Sequence, residues 1–186
     1  GSHLTELFLN KNYKVVIVDN FTTGKLSNLD NIKGNKNLEI HDIDILDLNK
    51  LKKVFVDIDF VVHLAGIAEI VPSIENPCDY FDVNVRGTLN LLELSKECNL
   101  KKFVYAASSS SYGIPKEYPT KENSMINPQY PYALTKYMGE ELVMNWNKIY
   151  KLPSISLRFF NVYGPKSRTS GTYGAVMGVF LAQKLA

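Results

Sequence analysis

Short, unbroken apolar runs rich in β-branched residues, each followed by a longer helical pattern, set the tightest limit on how this chain can fold. Residues 14–19 read KVVIVD, and similar runs occupy 38–40, 60–63, 103–106 and 155–159. Continuous rather than alternating apolar character is the mark of parallel strands covered on both faces. Between the runs lie helical patterns at 4–11, 47–56, 80–97 and 132–150. Strand–helix alternation of this kind predicts an α/β fold with a doubly wound parallel sheet built from right-handed crossovers. Gly87 falls inside the third helical pattern, at a cost of about 1 kcal/mol relative to Ala, and would let that helix approach the sheet closely. Pro153 marks the break before the last strand. The stretch 113–131 carries Pro115, Pro119, Pro128 and Pro131 and reads as an ordered loop.

Composition narrows the function classes. The chain has 186 residues, a length suited to one domain, and a net charge of +2. That balance gives no overall pull toward nucleic acid or an anionic membrane. Its two cysteines form no CxxC pair, and its three histidines lack metal-ligand spacing, so neither a disulfide framework nor a metal site is expected. His63, at the end of an apolar run, reads as a packed strand-end histidine. No apolar run nears the roughly 20 residues needed to span a bilayer. No signal-peptide pattern is visible, so a cytoplasmic setting is the expectation.

The strongest chemical signal is Tyr132-Ala133-Leu134-Thr135-Lys136. Residues four apart share a helix face, which makes the phenol and the ammonium neighbours. A nearby cation favours the phenolate and equips the tyrosine for proton transfer at neutral pH. Alone, the spacing suits any surface pair. It gains weight from Ser108-Ser109-Ser110-Ser111 and Tyr112-Gly113, which follow the run at 103–106. Ligands of open α/β sheets bind outside the C-terminal ends of strands, where a hydroxyl can hold the reacting oxygen.

Other strand ends carry matching residues. Asp19 and Asn20 close the first run, and an acid there accepts from the ribose hydroxyls of an adenosine dinucleotide. Its charge opposes the extra phosphate of NADP, so NAD is the expected cofactor. Thr22, Thr23, Gly24 and Lys25 follow, offering hydroxyls, backbone donors and a cation for phosphate. Asp42 and Ile43 are placed to bracket an adenine. Leu64, Ala65 and Gly66 are small or flat enough to lie against a cofactor. Each has an ordinary turn explanation, and the ordered set is more specific than any member.

Taken together, these residues resemble the extended short-chain dehydrogenase/reductases, specifically the NAD-dependent nucleotide-sugar epimerases and dehydratases. The motifs are DNFTTGK at 19–25, HLAG at 63–66, Asn84-Val85 with Gly87-Thr88 and Asn90, YAASSSSYG at 105–113, PYALTK at 131–136 and LRFFNVYGP at 157–165. The resemblance implies a Rossmann-like NAD-binding domain over 1–186 and a catalytic set of Ser108, Tyr132 and Lys136. It places the cofactor against Gly1, Asp19, Asn20, Thr23, Gly24, Lys25, Asp42, Ile43, Leu64, Ala65, Gly66 and Phe160, together with Tyr132 and Lys136. It places substrate against Asn84, Ser108, Ser109, Tyr132, Asn161, Ala175 and Val176. Related 4,6-dehydratases carry an Asp-Glu pair where this chain has Ser109 and Ser110, which favours 4-epimerisation of a UDP-sugar through a transient 4-keto form. The segment 171–176 strengthens the likeness to UDP-hexose and UDP-N-acetylhexosamine epimerases.

Two departures accompany it. The family opens with a strand and a glycine loop, of which only GSHL is present, making Gly1 the last loop glycine. The family also continues past residue 186 into a substrate-binding portion. The resemblance thus implies a piece of a longer protein, a homodimer through the helices at 80–97 and 132–150. Competing readings are another nucleotide-sugar reaction (dehydratase, decarboxylase or reductase), a non-catalytic binding protein, or an inactive fragment.

Overall fold

The computed structural model describes residues 1–166, 180 and 183–185. Among these residues five strands form: β1 Val15–Asp19, β2 Leu38–Asp42, β3 Phe60–His63, β4 Lys102–Ser108 and β5 Ser154–Phe159. All three strand pairings are parallel. The strands divide into a β1–β2 pair and a β3–β4–β5 trio, so the described sheet is interrupted between β1 and β3 rather than continuous. In the trio, Val61 pairs with Phe103 and Ser108 pairs with Phe159.

The helices are α1 Ser2–Asn10, α2 Leu48–Val54, α3 Ile70–Glu75, α4 Pro77–Phe81, α5 Thr88–Glu97 and α6 Pro131–Tyr150. Asp47 caps α2, its carboxylate accepting from the Lys50 N–H at 3.1 Å, and Lys52 and Lys53 complement the dipole at the other end. Pro131 opens α6 at a position where no N–H is needed, and Lys151 closes it in the left-handed conformation at φ 57°. The helix expected over 80–97 begins earlier, at Pro77, and is wound as a π-helix over Asp82–Gly87. Gly87 presses on the side chain of Ile45, so the close approach is to the loop after β2 rather than to the sheet.

The core sits behind β4. Phe103 and Tyr105 are fully buried on one face of that strand, against Leu51, Leu91, Leu92, Val143 and Leu152. Each such side chain contributes roughly 2 kcal/mol of burial. Coverage on both faces does not extend to β5. Its outward residues Ile155, Leu157 and Phe159 are 36–44% exposed because no described element packs on them.

Candidate active site

β4 delivers Ser108 to the edge of a cleft, where it is 8% exposed. Its hydroxyl caps the short 3-10 turn Ser109–Tyr112, accepting from the Ser110 N–H at 3.2 Å. Tyr132 lies in the first turn of α6 and donates its phenol proton to Ser108 Oγ at 3.3 Å. With two bonds accepted, the Ser108 proton is directed to Ser110 Oγ, 2.7 Å away. The Tyr132 ring is held by Tyr130 stacked on it (centroids 6.4 Å apart, planes 9° apart) and by Tyr80 edge-on at 6.4 Å. One turn further along α6, Lys136 is 7% exposed, and burial pushes its ammonium down to about 8. Tyr132 and Lys136 line one cavity of about 160 Å³, together with Gly66, Ile67, Ala68 and Ala107.

A buried polar frame supports this cleft. Asn84 accepts from the Ile67 N–H and donates to the Ile67 carbonyl, both at 3.0 Å, and donates to Thr135 Oγ1 at 3.1 Å. Thr135 donates in turn to the Tyr132 carbonyl at 3.0 Å. The sequence reading placed Asn84 against substrate. In the structure it is 2% exposed, with its amide committed to the backbone of the loop after β3 and to α6. Thr88 donates to the Asn84 carbonyl at 2.7 Å, so the contact between His63 Nε2 and Thr88 Oγ1 at 2.8 Å requires a proton on His63 Nε2, as in the Nε2–H tautomer. Burial, followed by the charge of Lys136, pushes the imidazole down to about 3, in keeping with that tautomer. His63 is thus the packed strand-end residue its position suggested.

Asp19, at the end of β1, accepts from the Phe21 N–H at 2.8 Å, and Gly24 folds over it so closely that a Cβ would lie 2.9 Å from Asp19 Oδ2. Asn20 donates to Asp44 Oδ2 at 2.8 Å and accepts from the Thr22 N–H, tying the loops after β1 and β2 together. Asp44, which sequence reasoning passed over, is therefore the acid engaged there, while Asp42 is exposed at the end of β2. Ile43 is half-buried and packs on the core. A second cavity, of about 530 Å³, runs from Thr23 past Gly66, Ile67 and Ala68 to Glu69, Asp79 and Tyr80. It shares Gly66, Ile67 and Ala68 with the smaller cavity, so the cleft is elongated. At Gly66 a Cβ would meet Asn84 Oδ1 at 2.9 Å and Lys136 Nζ at 3.8 Å, so a glycine lets this loop pack closely on Asn84 beside the lysine. Lys25, Leu64, Phe160 and Asn161 are exposed, Phe160 stacking on Tyr112 at 6.4 Å. Ser109 and Ala65 are half-buried. Gly1 precedes α1 and its carbonyl accepts from the Thr5 N–H. Ala175 and Val176 lie outside the described residues.

Arg158 is a further organising residue, visible in the sequence only as part of a motif. From β5 it donates to both oxygens of Glu140 on α6, to Tyr112 Oη at 2.9 Å and to the Glu122 carbonyl at 3.0 Å. It joins α6, the serine turn and the loop at 113–130.

A strand-end serine bonded to a helix tyrosine, with a buried lysine one turn on, suits reversible proton transfer to an alcohol. A profile of the NAD dependent epimerase/dehydratase family matches residues 1–185. The chain belongs to that family. It is 37% identical over its whole length to a putative UDP-glucose 4-epimerase of Methanocaldococcus jannaschii, of which it covers 59%. A UDP-glucuronate 4-epimerase of Thermodesulfobacterium geofontis is 38% identical over 90% of the chain and 54% of that relative. The solved UDP-N-acetylglucosamine 4-epimerase of Methanobrevibacter ruminantium, in complex with UDP-N-acetylmuramic acid, superposes with a TM-score of 0.94 at 34% identity, covering 100% of this chain and 59% of that one. The chain thus spans somewhat more than half the length of these epimerase/dehydratase relatives, and its fold is the Rossmann fold of the family.

Proposed function

We propose that the protein containing this chain is an NAD-dependent 4-epimerase of a UDP-sugar, acting on the UDP-glucose/galactose or the N-acetylhexosamine pair. The observation that carries the proposal is the Tyr132–Ser108 hydrogen bond with Lys136 buried one helical turn away. Ser108 and Tyr132 present one acceptor–donor pair to the sugar O4. Tyr132 takes the O4 proton when the alcohol is oxidised and returns it when the ketone is reduced. Lys136, charged at neutral pH, favours the phenolate during that exchange. Ser108 hydrogen-bonds the oxygen throughout and keeps it beside the phenol.

The residues fit an elongated dinucleotide: small residues at Gly66 and Gly24, an acid at Asp19, and a cleft reaching from Thr23 to Lys136. Asp19, Thr23 and Gly66 would hold it, with Lys136 toward its reactive end. When bound, NAD supplies the reversible hydride acceptor that lets C4 pass through a ketone. Ser109 and Ser110 stand where a dehydrating site needs its own acid and base, which supports epimerisation over loss of water. Exposed Met144, Ile149 and Tyr150 on α6 support dimerisation through that helix. Incubation with UDP-glucose and NAD should yield UDP-galactose by chromatography, and absence of any sugar interconversion with either pair would refute the proposal.

A further inference from the structure

Tyr105 is fully buried at the middle of β4, yet it touches the site from beneath. Lys136 Nζ lies 4.4 Å from the centroid of its ring. Its hydroxyl donates to the Lys136 carbonyl at 3.3 Å. Gly139 sits against the same hydroxyl, where any Cβ would collide with it, so α6 is pressed onto this residue at the turn that carries the lysine. On its other side the ring meets His63, centroids 5.4 Å apart.

We propose that Tyr105 is a positioning residue for Lys136, its ring forming the floor under the ammonium. The inference rests on the reading of Lys136 as part of the proton-handling site. An aromatic face attracts a cation through its quadrupole and takes up none of the three N–H donors. A carboxylate in that place would form hydrogen bonds to the ammonium and draw it away from the cleft. The ring therefore holds charge in a desolvated position while leaving the N–H groups available to a ligand in the cleft. Burial keeps the Tyr105 phenol well above its ordinary range, so it remains a neutral donor. The titratable groups around Lys136 are Tyr132 on its own helix, Tyr105 of β4 and His63 of β3, with Glu140 one turn on and ion-paired to Arg158.

The test is the titration of the Lys136 ammonium in the isotope-labelled chain by 15N NMR, assigned with Lys136→Met. Tyr105→Leu would remove the ring but also opens the core, so the informative pair keeps the ring's shape. Tyr105→Phe retains the π face and should titrate close to the parent. Pentafluorophenylalanine at position 105 reverses the ring's quadrupole and should lower the midpoint by about one pH unit. A midpoint unchanged by fluorination would overturn the proposal. This readout needs no turnover, so it stands or falls separately from the epimerase reading.

Discussion

Asn84 grips the backbone of Ile67 from both sides, accepting from its N–H and donating to its carbonyl at 3.0 Å each. The grip joins the π-helical segment to the loop that floors the cleft, and its third bond reaches Thr135 beneath Tyr132. A single-turn π-helix inside an α-helix is a local departure often associated with function. Here it coincides with the residue that fastens the loop.

Asn84→Leu keeps the volume but leaves the Ile67 groups unpaired. Each buried unsatisfied group costs about 1–3 kcal/mol, so a loss of roughly 2–4 kcal/mol is expected by urea unfolding. The same variant should lose hydrogen-exchange protection at Ile67. Unaltered protection there would show that the loop holds itself.

Arg158 and Glu140 form a partly buried ion pair beside the serine turn, their side chains 22% and 6% exposed. Arg158→Met strands the Glu140 charge and should cost about 3–5 kcal/mol. The double variant Arg158→Met/Glu140→Met should recover most of that loss. A double-mutant cycle in denaturant checks it; additive losses would mean that the two residues act independently.

His63 stays neutral in the fold, pushed by burial and then by Lys136 to about 3 from 6.5. Between those values the unfolded chain binds a proton that the folded chain refuses, so stability falls as pH drops through that window. His63→Asn removes this dependence. Relative to the parent it should gain roughly 2 kcal/mol on going from pH 7 to pH 5, read from urea midpoints. Parallel curves for the two proteins would contradict the buried neutral imidazole.

Lys136 shows the opposite end of the scale. Burial lowers its ammonium from 10.5 to about 8, so the unfolded chain binds the extra proton between these values. Stability therefore rises as pH rises through that interval. Lys136→Met should be more stable than the parent at pH 7 by up to about 3 kcal/mol, with the advantage fading by pH 10.5. The stability difference between the two proteins, measured across that range, isolates the lysine from other groups. A difference independent of pH would show that the ammonium is not destabilised in the fold.

The strands were legible because β-branched runs such as Val15–Asp19 carry their own signal, and the end of α6 because Pro153 breaks the pattern after it. Tyr132 and Lys136 were legible as a pair because they lie four apart on one helix, whereas choosing Ser108 from four consecutive serines took the family resemblance. The rest depends on partners far apart in sequence. Asn84 was placed near substrate by the family resemblance, and its framing bonds were invisible because its partners Ile67 and Thr135 lie 17 and 51 positions away. Arg158 reaches Glu140 across 18 positions and two elements. Tyr105 sits within an apolar strand run and signals nothing but burial. The helix α3 went unread because it is six residues long and contains Pro72. The π-helical winding at Asp82–Gly87 has no periodic mark in a segment that otherwise reads as one helix.

The most direct test of the central claim follows the C4 hydrogen. UDP-glucose incubated with the protein and NAD in heavy water, then returned to ordinary water, should give UDP-galactose of unchanged mass with its C4 hydrogen retained, and Tyr132→Phe should abolish most of the conversion. A product that has lost water, or one carrying solvent deuterium at C4, would contradict the account.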